Sequence, residues 1–387
     1  MIRISKKAKS LKPSHLNNFF AKTKKMRANG KDIISLGVGE PYQDTAFFIS
    51  EGGISAIQEG YTKYTPANGD PRLKEAIKKS LALEGFNYDT KSIIVSAGAK
   101  PIIFALLNIL IEGKDEIIIP APYYPPFATM INFLGGKIIA IDTTPDNFQL
   151  KAETIENLIT QKNIAPKGLI LNSPNNPTGA VYGRGDLLKI SELARKYDFW
   201  VISDECYQKF VYEGDFISIA SLPNMSERSI IIRSFSKSYA MTGWRVGYAA
   251  GPKKIMKKLD IYAGNFLGCA SSISQKAAIS ALNGPDVKFV NNFLPSRKIL
   301  ISWLGKNNIP FGKPQGAFYI FADFSKFLSK KIKDSVALAD FIFKKAEVTV
   351  IPGISFGPQY DNYLRLSYCV RQSVMKYALQ KIEKILI

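Results

Sequence analysis

Six short, almost wholly apolar runs lie between residues 93 and 232: Ile93-Ile94-Val95, Ile117-Ile118-Ile119, Ile138-Ile139-Ala140-Ile141, Leu169-Ile170-Leu171, Phe199-Trp200-Val201-Ile202 and Ile230-Ile231-Ile232. A strand with one wet face alternates apolar and polar residues. These runs do not alternate, so both faces of the sheet they form must be covered. The intervals between them have room for crossover helices, and helical patterns fall at about 184–197 and 253–265. Such an order implies an α/β fold with a mostly parallel sheet sandwiched by helices.

The flanking sequence has a different texture. An arm and an amphipathic helix fill residues 1 to about 30, with Lys12-Pro13-Ser14 as the start signal, and Ile33–Leu36 is a short strand running into Gly37-Val38-Gly39-Glu40-Pro41. Asp70-Pro71 caps a helix whose apolar face is Leu73, Ala76, Ile77 and Leu81. Beyond about 290 the pattern predicts a helix, a strand region over Pro310–Ile320, a helix from Ser335 to Lys345, two strands and a last helix at 371–386. Three parts follow: 1–45 as arm and small-domain segment, 46–285 as a large domain, and 286–387 as a smaller α+β domain.

In a parallel sheet, ligands bind beyond the carboxyl ends of the strands, so the residues that follow each run carry the functional reading. After Ile230–Ile232 come Ser234, Ser236 and Lys237, with Arg245 eight positions on. A lysine beside small hydroxyls with a guanidinium close behind suits a Schiff base to a phosphorylated aldehyde. After Val95, Gly98-Ala99-Lys100 opens a helix whose free N–H groups form an anion site. After Ile119, Tyr123-Tyr124 sits among prolines and offers rings to stack on a planar group. After Leu171 comes Asn172-Ser173-Pro174-Asn175-Asn176-Pro177-Thr178-Gly179, where Asn176 can donate to a phenolate-type oxygen. After Ile202, Asp204 needs a cationic or N–H partner, and a protonated ring nitrogen would serve; Tyr207 can reach the neighbouring oxygen. Each feature alone has an ordinary reading as a turn, a cap or packing. Their convergence on one sheet edge does not.

Composition narrows the alternatives. Net charge is +20, from 52 basic and 32 acidic residues, but 41 of the basic residues are lysines scattered in pairs, without the aromatic interleaving of a nucleic-acid surface. The single histidine, His15, places proton transfer on Lys, Tyr, Asp or Glu. No apolar stretch is long enough to span a membrane and no secretory signal is visible. Cys206, Cys269 and Cys369 are odd in number and widely spaced, which points to a reducing cytoplasm rather than a metal or disulfide framework.

These motifs resemble the class I aminotransferases of the aspartate and aromatic type, which are pyridoxal-5′-phosphate enzymes of fold type I. The resemblance runs from Leu36-Gly37-Val38-Gly39-Glu40-Pro41 to Leu364-Arg365-Leu366-Ser367. It is strongest at Asn175–Gly179, Ser203–Tyr207 and Lys237–Arg245. It implies a seven-stranded large-domain sheet, and Lys237 as the Schiff-base lysine. It implies Asp204 on the ring nitrogen, Tyr207 and Asn176 on the 3′-oxygen, and Tyr124 stacked on the ring. Ser234, Ser236, Arg245 and the amides of Ala99 and Lys100 would hold the phosphate. Arg365 would clamp the substrate α-carboxylate, with Gly39, Tyr124 and Asn176 also at the substrate. Tyr64 would reach the phosphate of a neighbouring subunit, which implies a homodimer with shared sites. The implied reaction is ping-pong transfer between an amino acid and a 2-oxo acid, 2-oxoglutarate being an expected acceptor.

The sequence departs from the family pattern at Tyr42–Ala46, at Tyr124 and at Arg371. Lys12 and Lys167 are candidates for a distal substrate carboxylate. The same cofactor fold also supports carbon–sulfur lyases and cyclopropane-forming synthases, and an inactive regulatory protein is a more distant possibility.

Overall fold

A computed structural model describes residues 2–9 and 11–387; Met1 and Ser10, within the expected arm, lie outside the described residues. Twelve strands follow one another as β1 (Ile34–Ser35), β2 (Ile93–Ser96), β3 (Glu116–Ala121), β4 (Lys137–Asp142), β5 (Pro166–Asn172), β6 (Trp200–Asp204), β7 (Ser229–Ser234), β8 (Gly247–Ala250), β9 (Tyr319–Asp323), β10 (Val348–Thr349), β11 (Ile351–Pro352) and β12 (Tyr363–Ser367). Seven of them form one sheet in the order β2-β8-β7-β6-β5-β3-β4. All neighbours in it are parallel except β8, which runs against both β2 and β7.

The isoleucine runs explain why this sheet is buried on both sides. Successive side chains point to opposite faces, so Ile230 and Ile232 pack on one side with Ile94, Ile102, Leu106 and Met256. Ile231, between them, packs on the other with Ile93, Leu73, Ile77 and Ala277. Farther along the sheet, Ile118, Leu169, Leu171 and Val201 pack with Ile155 of the helix Ala152–Lys162 and Ile190 of the helix Arg184–Lys196. Each such side chain, fully withdrawn from water, contributes about 2–3 kcal/mol. The helix Pro71–Leu83 begins where the Asp-Pro pair predicts: the Asp70 side chain accepts from the Arg72 N–H. All four residues of its expected apolar face are buried.

A second layer forms around the antiparallel sheet β11-β12-β9, covered by the helices Val290–Lys306, Ser335–Ala346 and Gln372–Leu386. Phe19, Ile34 and Leu36 from the start of the chain lie in this layer's hydrophobic cluster. There β1 pairs with β10, Ile34 opposite Val348. The Ser367 N–H then donates to Leu36 O at 2.7 Å, so the loop that follows Leu36 lies against β12.

Three sequence-level expectations need correction. The strand expected over Pro310–Ile320 starts only at Tyr319, because Pro310 and Pro314 lack the N–H a ladder requires. Three short strands, not two, separate the last two helices. The seventh strand of the large sheet, β8, was not among the apolar runs: Gly-Tyr-Ala-Ala carries no β-branched residue. Among the described residues, no helix is long and apolar enough to cross a membrane, and no cluster of His, Cys, Asp and Glu could hold a metal ion.

Candidate active site

Parallel pairing brings the carboxyl ends of β3, β5, β6 and β7 to one edge of the large sheet, together with that of β2. Asn172 pairs with Asp204, and Ser234 pairs with Gly247. Because β8 runs the other way, its beginning lies at this edge and places Arg245 there. A cleft of about 330 Å³ opens above these ends, closed on its far side by Val38, Gly39, Tyr319 and Arg365 from the second layer and by Leu16 and Phe20 of the helix His15–Ala28.

One end of the cleft is built to hold an anion. The helix Ala99–Leu110 starts there with its first N–H groups free, and its N-cap Gly98 has φ +97. A Cβ on Gly98 would lie 2.6 Å from Arg245 Nη2, so only glycine admits the guanidinium this close. Arg245 itself sits at φ +58, tied by its guanidinium to Thr242 O at 2.9 Å and to Ala97 O at 3.3 Å. A Cβ on Gly247 would meet Ala99 N at 2.9 Å, so that glycine lets the turn rest on β8. Ser234 caps the short helix Phe235–Ser238, its Oγ accepting from the Ser236 N–H at 3.1 Å. Lys100 lines the same end, where burial, reinforced by the like charge of Arg245, lowers its pKa.

Asp204 forms the floor. It is 6 % exposed and accepts at Oδ1 from the Cys206 N–H at 3.1 Å. Burial pushes its carboxyl up to about 6, the state of a carboxylate that lacks a cationic partner. Next to it, Tyr207 Oη lies 2.9 Å from Tyr319 Oη. Asn176 is fixed by the turn around it: its N–H donates to Asn172 Oδ1 at 2.8 Å, and Asn175 Oδ1 receives both the N–H and the hydroxyl of Thr178. Its own Oδ1 accepts from Arg365 Nη1 at 2.8 Å, which leaves the Nδ2 amide as a donor. Tyr124 lines the wall, edge-to-face with Phe127 at 5.5 Å.

Lys237 reaches into the cleft and donates to Gly39 O, and burial holds its ammonium below the usual lysine range. Arg365, on β12, is 2 % exposed and forms no ion pair among the described residues. Its guanidinium lies 4.2 Å from the Tyr319 ring centroid and donates to Gly37 O at 2.6 Å, while Nε is buried with no acceptor.

Most of the expected residues are therefore assembled: Gly39, Ala99, Lys100, Tyr124, Asn176, Asp204, Tyr207, Ser234, Ser236, Lys237, Arg245 and Arg365 all line the cleft. Tyr64 does not; it stands 97 % exposed on the surface. Lys12 is exposed and outside the lining. Lys167 lies at the amino end of β5, lining another cleft with Asp115 and Glu116, which removes it as a ligand here. Tyr319 and Asn172 also line the site without having been singled out. Tyr319 is hidden in the apolar run Phe318–Ala322, whose pattern signals only core.

The residues present fit pyridoxal 5′-phosphate. The glycine-made cradle with Arg245 matches a phosphate, Asp204 matches a protonated ring nitrogen, and Lys237 supplies the amine. Arg365, without an ion-pair partner among the described residues, matches a carboxylate. The ionisable lining holds four cations, Lys100, Lys237, Arg245 and Arg365, against two carboxylates, Glu40 and Asp204, so bound anions are needed to balance it.

Comparison with known proteins agrees. The family described as aminotransferase class I and II matches residues 31–382. A probable aspartate/prephenate aminotransferase of Aquifex aeolicus is 38 % identical over 393 residues, covering 99 % of this chain and 98 % of that protein. An aspartate aminotransferase of Bacillus sp. (strain YM-2) is 37 % identical over 391 residues, covering 98 % of each. The solved structure of Thermus thermophilus aspartate aminotransferase with maleate superposes with a TM-score of 0.93 at 31 % identity and covers 100 % of both chains. The names of these relatives favour amino transfer over the lyase and regulatory alternatives. The chain belongs to the class I and II aminotransferases, enzymes that use pyridoxal 5′-phosphate to move an amino group between an amino acid and a 2-oxo acid.

Proposed function

We propose that this aminotransferase works on dicarboxylic substrates, with L-aspartate as donor and 2-oxoglutarate as acceptor. The observation that carries the carboxylate reading is Arg365, a buried guanidinium with no ion-pair partner among the described residues and an Nε without an acceptor. Its two-pronged geometry suits an α-carboxylate better than a lysine would. Lys100 is the cation left over once Lys237, Arg245 and Arg365 have tasks, and it suits a second carboxylate. The aspartate in the relatives' names points the same way.

When bound, pyridoxal phosphate supplies the electron sink that makes a Cα proton acidic. Arg245, Ser234, Ser236 and the first amides of the helix Ala99–Leu110 would hold its phosphate, and Tyr124 its ring face. Asp204 would face the ring nitrogen and favour its protonated form. Tyr207 and Asn176 donate to the ring oxygen. Lys237 would hold the cofactor covalently. Its Nζ, with a pKa lowered by burial, is the group placed to take the substrate's Cα proton. Gly39 O, which accepts from Nζ, orients that amine.

We further propose a homodimer in the cytoplasm. Tyr64, Phe47, Ile54, Ile57 and Phe266 are large and more than half exposed, as an interface would require. Tyr64 would then act at the partner's phosphate end. The division into 1–45, 46–285 and 286–387 is likewise proposed, supported by the packing of Phe19, Ile34 and Leu36 in the hydrophobic cluster of the C-terminal layer.

The test is to supply L-aspartate and 2-oxoglutarate to the protein loaded with pyridoxal phosphate and to measure oxaloacetate and glutamate. Equal yields of both are expected. Free ammonia in place of glutamate would make the protein a lyase, and no product with any dicarboxylic pair would remove the substrate proposal.

A further inference from the structure

The Tyr319 side chain is 2 % exposed, yet its hydroxyl faces the cleft rather than a backbone group. Three contacts set it apart from the aromatic core around it. Its Oη lies 2.9 Å from Tyr207 Oη. Its ring face lies 4.2 Å from the carbon of the Arg365 guanidinium. Its hydroxyl also occupies the space a side chain at position 39 would need, since a Cβ on Gly39 would fall 1.7 Å from Tyr319 Oη. Gly39 O is in turn the acceptor for Lys237 Nζ. One side chain therefore touches the partner of the cofactor oxygen, the carboxylate clamp and the loop that orients the lysine.

We propose that Tyr319 is a positioning residue that ties the cofactor-oxygen contact of Tyr207 to the carboxylate clamp of Arg365; this rests on the function proposed above. The proton count fixes the direction of its hydrogen bond. Each phenol has one proton. If Tyr207 gives its proton to the cofactor oxygen, the proton between the two phenols must come from Tyr319. Tyr319 thereby polarises Tyr207 and makes it a stronger donor. The ring separately fixes the plane of Arg365. Phe356, whose ring centroid lies 5.2 Å from the same guanidinium, adds a second ring contact that restrains it. The titratable groups near Tyr319 are Tyr207, Tyr124, Arg365 and Cys369, and Arg365 is the one that is always charged.

The two contacts are separable. Tyr319→Phe keeps the ring and removes the hydroxyl; Tyr319→Leu removes both. Each variant is loaded with pyridoxal phosphate, and two quantities are read: the pH midpoint of the bound cofactor's visible band, and the affinity for succinate measured by its effect on that band. In Tyr319→Phe the midpoint rises by about half a pH unit or more, because a weaker donor leaves the cofactor oxygen more basic. Its succinate affinity stays within about twofold of the parent. In Tyr319→Leu the midpoint rises similarly and succinate affinity falls about tenfold, the worth of a desolvated cation–ring contact. Should the Leu variant not fold, Tyr319→Met serves for the second arm. An unchanged midpoint in Tyr319→Phe overturns the hydroxyl role, and equal succinate affinity in Phe and Leu variants overturns the ring role. A parent protein that forms no visible band with pyridoxal phosphate overturns the functional reading beneath both; a normal parent with silent variants overturns only the role of Tyr319.

Discussion

Asp204→Asn tests whether the floor of the cleft is built for a cation that the chain itself does not provide. The buried carboxyl has a pKa of about 6 against an ordinary value of 3.8. At about 1.4 kcal/mol per pH unit, the folded apo-protein gives up about 3 kcal/mol above pH 6 to keep Asp204 ionised. The sign follows from the raised value. The unfolded chain releases this proton first, so stability is greatest below pH 4 for this group and is lost as pH rises to about 6. Asn removes the ionisation while keeping an oxygen for the Cys206 N–H. The apo-variant should therefore unfold at a higher temperature than the apo-parent at about pH 8, with the advantage fading toward pH 4. With the cofactor bound the order should reverse in function: a neutral amide cannot hold a proton on the ring nitrogen, and amino transfer should fall by about 10²-fold or more. Thermal midpoints of both apo-proteins across pH 4–8, with rates of the loaded proteins, give both halves. Equal midpoints at pH 8, or a parent whose stability rises between pH 4 and 6 relative to the variant, would refute the assignment of an uncompensated carboxylate.

Other perturbations have equally definite outcomes. Arg365→Lys keeps the charge but loses the fork, and kcat/KM for the amino acid should fall by about 30–100-fold, the worth of 2–3 kcal/mol. Gly39→Ala forces a Cβ onto the Tyr319 hydroxyl, and the displaced loop should lower kcat by about 10²-fold while the protein stays folded by circular dichroism. Arg233→Met leaves Glu205, fully buried and paired to Arg233 at 3.0 Å, without its counter-charge; denaturant unfolding should show a loss of about 3–5 kcal/mol. Mixed dimers of Tyr64→Phe and Lys237→Ala subunits test the shared site: if Tyr64 serves the partner, the one intact lysine in the heterodimer faces an intact or an altered Tyr64 according to which chain carries each change, and phosphate-cofactor affinity per active lysine follows the partner's residue 64.

The large sheet was legible because its isoleucine runs satisfy a demand that few folds make, burial on both faces. Knowing strand direction made the site legible as well: whatever follows a parallel strand must lie at one edge, and Asp204, Asn176 and Lys237 do. The same rule disposes of Lys167, which precedes the apolar stretch of β5 and so belongs to the opposite edge. What stayed hidden depends on tertiary fit. β8 is held by the absence of side-chain bulk, with Gly247 lying against the backbone of Gly98 and Ala99, and no propensity of its own marks it. Tyr319 reads as one more core aromatic until Arg365, 46 residues away in the chain, is seen over its ring. The break at Pro310 and Pro314 moved the strand that carries Tyr319, so its register against Arg365 and Ser367 could not be drawn from the apolar pattern.

The central claim is that Lys237 and the residues around it carry an amino group in two separate halves. It is tested most directly by giving the loaded protein the proposed donor, L-aspartate, with no acceptor present, and counting the 2-oxo acid formed. The account predicts one oxaloacetate per site and then a stop, release of one glutamate per site when 2-oxoglutarate is added, and neither product from Lys237→Ala. Continued oxaloacetate formation without an acceptor, or undiminished transfer by Lys237→Ala, would contradict it.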